Sequence, residues 1–181
     1  MDRPDIETLQ SDIVYQNRWI TVREDKIRRR DGSEGIYGFV EKVDFVVIAA
    51  IDDGQIHLVE QYRYPVKQRF WEMPQGAWDQ APDSSAEDVA RRELREETGL
   101  EAGSIAYAGH LAMAYGLCTH GFHVFLATDL TQGETAREVE EQDLIARAVP
   151  YTDFEQMIMD GVIKDAASIA ALQLLKLKGM V

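Results

Sequence analysis

A single cysteine, Cys118, stands among the 181 residues. No internal disulfide can form, and a reducing compartment, the cytoplasm, is the expected location. Cys118 itself reads as a small buried hydrophobe. No stretch approaches the roughly 18 apolar residues of a membrane span, and no basic-then-apolar leader opens the chain. Internal repeats, low-complexity segments and linkers are absent. Positive charge is scarce: 19 Lys and Arg stand against 32 Asp and Glu, a formal net charge of −13. A general nucleic-acid binder needs the opposite balance, so nucleic acid is not the expected partner. A small anionic ligand stays compatible, because a metal ion and a few arginines reverse the field locally. What is present is a hydrophobic fraction of 45% and a charged fraction of 28%, the composition of a globular chain with a proper core.

Residues 1–14 are polar and read as a loose start. Trp19–Val22 and Lys26–Arg30 alternate or are β-branched, and Asp31-Gly32 is a hairpin turn signal. Gly35–Val43 places Tyr37, Phe39 and Val43 on one period-2 face. Residues 1–43 therefore read as a small antiparallel β-subdomain, followed by a main domain over 44–181. Phe45–Ile51 (FVVIAAI) is a near-continuous apolar run, short enough for a buried strand. Asp52-Asp53-Gly54 turns the chain into a returning strand, Ile56–Tyr62, which Pro65 stops. Phe70–Gly76 (FWEMPQG) ends in a Pro/Gly turn. Ser104–Met113, Phe122–Thr128 and Leu144–Val149 read as further strands, with an acidic loop at 129–142 carrying Glu134, Glu138, Glu140 and Glu141. Thr152 and Glu155 have capping-box spacing for a helix ending near Gly161, and Asp165 opens a last helix, Ala166–Lys178. Strands mixed with helices make this an α/β chain.

The stretch Ser84–Leu100 (SSAEDVARRELREETGL) is the one with unusual chemistry. Ser84 with Glu87 has capping-box spacing, and Gly99 is a C-terminal stop. At about 100° per residue, Val89, Ala90 and Leu94 share one side of the helix. Glu93, Glu96 and Glu97 land on that same arc, while Asp88, Arg91 and Arg95 take the opposite one. Acidic runs are ordinarily solvated faces, but these acids sit on the apolar arc. Three carboxylates at i, i+3 and i+4 repel one another, and partial burial makes that worse. A bound multivalent cation relieves both, and Mg²⁺ and Mn²⁺ take hard oxygen ligands while keeping waters.

Arg92-Glu93-Leu94-Arg95-Glu96-Glu97-Thr98-Gly99-Leu100 resembles the second half of the Nudix box, R-E-U-x-E-E-x-G-U with U aliphatic, at every fixed position. The first half departs from the family pattern. Seven residues separate Gly76 from Ser84, two more than usual, and Ser84 replaces a glutamate. Val59-Glu60-Gln61-Tyr62-Arg63-Tyr64, Glu72-Met73-Pro74-Gln75-Gly76 and the stretch Gly161–Leu172 (GVIKDAASIAAL) are similar to the ADP-ribose and nucleotide-sugar pyrophosphatase branch. The resemblance spans residues 12–178. It implies the Nudix fold, an α/β/α sandwich around a mixed sheet, with the N-terminal β-subdomain helping to build a homodimer and part of the partner's site. It also implies Mg²⁺-dependent hydrolysis of ADP-ribose or a related nucleoside diphosphate sugar to a nucleoside monophosphate and a sugar phosphate, with Mn²⁺ as an alternative metal. Competing readings are a dinucleoside polyphosphate or RNA-cap hydrolase, in keeping with Pro74-Gln75-Gly76, and a non-catalytic nucleotide-binding module. Retention of all three box carboxylates weighs against the module.

The charged oxygens of a pyrophosphate shield its phosphorus atoms from nucleophiles, so cleavage needs cations. Glu93, Glu96 and Glu97 are the expected ligands, and the resemblance adds the backbone carbonyl of Gln75. It also places the catalytic base on the loop after the box, where Glu141 is chosen over Glu138 and Glu140, with Glu96 of the box itself as the alternative. Arg63 suits a phosphate, against the plainer reading of a surface ion pair. Trp19 and Tyr37 are candidates for stacking on a nucleobase, against core packing. Glu72 is a candidate ribose or metal-shell contact, against a buried ion pair with an arginine. Arg92 is expected to pair with Glu96. His110, His120 and His123 lack zinc spacing and read as ordinary residues.

Overall fold

The computed structural model describes residues 4–77, 83–133 and 143–181, which fall into two units. The first unit holds residues 1–43 together with 112–121. Its frame is a three-stranded antiparallel sheet of β1 (Ile6–Gln16), β2 (Thr21–Arg29) and β3 (Glu34–Glu41), in that order. The polar start is thus a strand, paired with β2 from Ile6↔Arg29 to Gln16↔Thr21 with two register shifts. Every β1 residue is exposed, so there is no buried face to impose an alternating pattern on the sequence. Ion pairs Glu7–Arg28 and Asp5–Arg30 run across the strands. Residues 112–121 join through the Val40 N–H donating to the Leu117 carbonyl and the Thr119 N–H donating to the Val40 carbonyl. Cys118 lies here, partly exposed rather than buried, with its thiol on the Ala114 carbonyl.

The second unit is built on a mixed sheet. Its path runs β10 (Ile145–Pro150), β5 (Gln55–Arg63), β4 (Phe45–Asp52), β9 (Gly121–Gln132), β8 (Leu100–Ala112). Short strands β6 (Gln68–Glu72) and β7 (Gln75–Ala77) pair with β5 and β4. β4 lies antiparallel to β5 and β7 and parallel to β9. Residues Val46–Ala50 are fully buried, which demands cover on both faces and explains the unbroken apolar run. Helix α1 (Ala86–Thr98) packs Val89, Ala90 and Leu94 onto Val46, Ile48 and Ala50. Helix α3 (Ala166–Leu177) also packs on β4, and α2 (Tyr151–Met159) on β10 and β5. No helix among the described residues is long and apolar enough to cross a membrane.

The helix ends refine the sequence reading. The N-cap of α1 is Ser85, not Ser84. Its hydroxyl accepts from the Asp88 N–H at 3.1 Å, and Asp88 bonds back to the Ser85 N–H, closing the box one residue later. Gly99 ends the helix at φ 74°, as expected. Thr152 and Glu155 form no capping box, because α2 begins at Tyr151 directly after Pro150, whose fixed geometry sets the entry. β8 and β9 run longer than their apolar patterns, to the point where the Gly133 N–H meets the Gly99 carbonyl at 2.7 Å.

His57 on β5 lies opposite Ala50 and Ala148. Burial pulls its pKa below the usual histidine value, against the opposing pull of Asp52. The unfolded chain therefore takes up this proton first. Stability is full above an unfolded pKa of about 6.5 and declines as pH falls through that value towards the folded pKa. Melting temperatures at neutral and mildly acidic pH check this: His57→Gln should lose less on acidification than the parent.

Candidate functional site

The end of β6, the turn Met73-Pro74 and β7 bring one strip of backbone against the inner arc of α1. The turn is pinned from both sides. The Ile48 N–H donates to the Pro74 carbonyl at 2.9 Å, and the Met73 N–H donates to the Ser168 hydroxyl at 2.8 Å. Ser168 is itself fully buried and held by Asp165, the N-cap of α3. Immediately afterwards the Gln75 N–H donates to the Glu97 carboxylate at 3.1 Å. Gly76 lies so close to Glu93 that a Cβ built on it would stand 2.1 Å from the Glu93 Cδ. Only glycine fits a backbone that passes a carboxylate this closely.

Glu93 and Glu97 are 7% and 2% exposed, an unusual burial for acids. Arg92 supplies nearby positive charge. It donates to Glu93 at 2.8 Å, approaches Glu96 at 3.5 Å, and reaches the Ala77 carbonyl. The expected Arg92–Glu96 pair is therefore present, with Glu93 as the nearer partner. Among the described residues, the side chains whose ligand atoms all fall within 4.8 Å of one another are Asp44, His110 and His123 rather than the three glutamates. The donor chemistry at Gln75, Glu93, Glu96 and Glu97 nevertheless fits a hard divalent cation: oxygen only, net negative, partly withdrawn from water.

Beside this strip, Glu72 is 2% exposed and takes a two-pronged contact from Arg63. Burial pushes the Glu72 carboxyl above the usual carboxylate range, while Arg63 and the Gln75 side chain oppose the shift. An ion pair with an arginine is thus the arrangement found, buried at its Glu72 end and open at its Arg63 end, and it engages both residues. Trp19 and Tyr37 belong to the first unit. Both are exposed, at 56% and 42%, so neither is a core residue. Arg18 lies over the Trp19 ring, and the Tyr37 hydroxyl donates to the Gly116 carbonyl at 3.0 Å. Glu141, with Glu138 and Glu140, lies outside the described residues.

Residues 40–172 match the NUDIX domain model. The chain belongs to the Nudix family. Residues 6–40 of this Nudix hydrolase match a second model, the nucleoside diphosphate sugar hydrolase N-terminal domain. A relative named ADP-ribose pyrophosphatase from Mycobacterium tuberculosis is 32% identical over 174 residues, covering 95% of this chain and 84% of the relative. A GDP-mannose pyrophosphatase from Yersinia enterocolitica is 29% identical over 136 residues, covering 71% and 70%. A crystal structure titled ADP compounds hydrolase superposes with a TM-score of 0.86 over the whole of both chains at 23% identity, a likeness of fold. The α/β/α expectation and the pyrophosphatase branch agree with these matches. The C-terminal half of α1 carries Arg92–Thr98 of the second half of the box, and Gly99 ends the helix.

Proposed function

We propose that this Nudix hydrolase cleaves the pyrophosphate bond of ADP-ribose or a related nucleoside diphosphate sugar, releasing a nucleoside monophosphate and a sugar phosphate. The observation that carries the reading is the burial of Glu93 and Glu97 against Gln75 and Gly76. Glu93, Glu96, Glu97 and the Gln75 carbonyl would hold Mg²⁺, or Mn²⁺ in its place. A cation there supplies charge neutralisation of the pyrophosphate oxygens and a more acidic water. Gly76 sets the depth to which Glu93 enters the site. Glu141 is assigned as the base that takes the proton of the attacking water, with Glu96 as the alternative. Arg63, 40% exposed at its side chain, has donors to spare for a phosphate after pairing with Glu72. Trp19 and Tyr37 present exposed rings for a nucleobase, and Glu72 anchors Arg63 and borders the ribose.

The first unit is assigned to a homodimer. β1 exposes Ile6, Leu9, Ile13, Val14 and Tyr15 on a strand that is also a sheet edge, and such edges are ordinarily protected by pairing. Light scattering at working concentration should give twice the chain mass. Ile13→Lys should shift the population towards monomer, and a monomeric parent would remove the assignment.

Purified protein incubated with Mg²⁺ and ADP-ribose, GDP-mannose, UDP-glucose, diadenosine polyphosphates and capped RNA tests the reaction. ADP-ribose or a nucleotide sugar should yield a nucleoside monophosphate. Preferred turnover of the polyphosphates or of capped RNA would move the substrate class, and binding without turnover of any would overturn the hydrolytic reading.

A further inference from the structure

Asp44, His110 and His123 meet at one point of the second unit, outside the strip that holds the box carboxylates. His110 Nε2 lies 3.0 Å and His123 Nε2 3.4 Å from the same oxygen, Asp44 Oδ2. The two imidazoles stand with ring centroids 4.7 Å apart. All three donor atoms fall within 4.8 Å of one another, the one such set among the described residues. Each residue sits on or beside a strand of the central sheet. Asp44 directly precedes β4, and His123 on β9 is opposite Val46 in the parallel register. Asp44 and His123 therefore share a face by strand periodicity. His110 arrives on β8. Tyr107 and His110 are three apart, a spacing that puts side chains on opposite faces of a regular strand. Gly109 lies between them at φ 149°, a conformation that suits glycine, and both side chains reach the cluster.

We propose that Asp44, His110 and His123 form a second metal site, selective for an imidazole-binding divalent ion such as Zn²⁺ over Mg²⁺. Two neutral nitrogens and one carboxylate are the donor set that zinc takes, whereas magnesium prefers oxygen alone. Zinc ligand atoms sit about 3.3 Å apart in a tetrahedral shell, so small side-chain rotations gather the observed set. Water completes the shell, since Asp44 and His110 are 36% and 42% exposed at their side chains. The surroundings already orient one ligand. The Tyr107 hydroxyl lies 3.2 Å from His123 Nδ1, where it can accept the Nδ1 proton and leave Nε2 with its lone pair for the metal. The site is independent of the pyrophosphatase reading, because it shares no residue with the box.

Zn²⁺ titration by calorimetry, in excess Mg²⁺ to fill the oxygen site, provides the test, with Co²⁺ absorption as a second readout of nitrogen ligation. The parent should bind one Zn²⁺ per chain. His110→Ala with His123→Ala should weaken it about a hundredfold or more, and Tyr107→Phe about tenfold. Glu97→Gln should leave Zn²⁺ binding unchanged. Circular dichroism shows whether each variant is folded, and the conservative Tyr107→Phe keeps the test open if the double variant is not. No Zn²⁺ uptake by the parent overturns the site, as does uptake that survives the histidine substitutions or disappears in Glu97→Gln.

Discussion

Glu97→Gln should lower turnover about a thousandfold, about 4 kcal/mol of lost transition-state stabilisation, with the protein still folded. The amide is nearly isosteric and keeps an oxygen that can accept the Gln75 N–H now bonded at 3.1 Å. What it removes is the charge, at a position 2% exposed where water cannot compensate. Stability should hold or rise, since a buried anion among other anions is relieved. Steady-state kinetics across a Mg²⁺ titration, alongside thermal melting, separates the two effects. Parental kcat at saturating metal would remove Glu97 from the ligand set.

Gly76→Ala should approach the same loss of activity by moving a neighbour rather than deleting it. The new methyl would sit 2.1 Å from the Glu93 Cδ and 2.2 and 2.4 Å from its oxygens. Backbone cannot yield easily there, because Gly76 pairs with Val46, which is fully buried. The side chain of Glu93 can, so the carboxylate swings away and the strand stays. Turnover should fall about a hundredfold or more, with the melting temperature little changed. Because the effect passes through Glu93, adding Gly76→Ala to Glu93→Gln should cost far less than the two losses multiplied. Multiplicative losses in that double variant would show that Gly76 acts some other way.

The elements with a buried face were legible in the sequence. The run 45–51 is unbroken because β4 is covered on both sides, and the α1 stripe of Val89, Ala90 and Leu94 maps directly onto the contacts with β4. The anomaly of acids on that stripe also survives, with Glu93 and Glu97 buried and Glu96 partly so. β1 was illegible for the opposite reason: all its residues are exposed, and its apolar ones, Ile6, Leu9, Ile13, Val14 and Tyr15, follow no strand period. The choice between Ser84 and Ser85 as cap turns on one residue of register, which adjacent serines leave open. Arg63 with Glu72, and Gly76 with Glu93, are contacts across a turn and a helix that no local pattern encodes. The His/Asp cluster was hidden most thoroughly. Its members stand 66 and 13 positions apart in sequence, and a glycine between Tyr107 and His110 breaks the period that would have revealed a shared face.

Residues 112–121 group with the first unit although the chain on either side of them belongs to the second. The polypeptide therefore passes between the units three times, not once. The stretch 6–40 that matches a separate domain model is accordingly not a detachable cassette. Cutting after Val43 would strip β3 of the Leu117 and Thr119 bonds that Val40 makes and leave a main unit carrying a loop with nothing to close on.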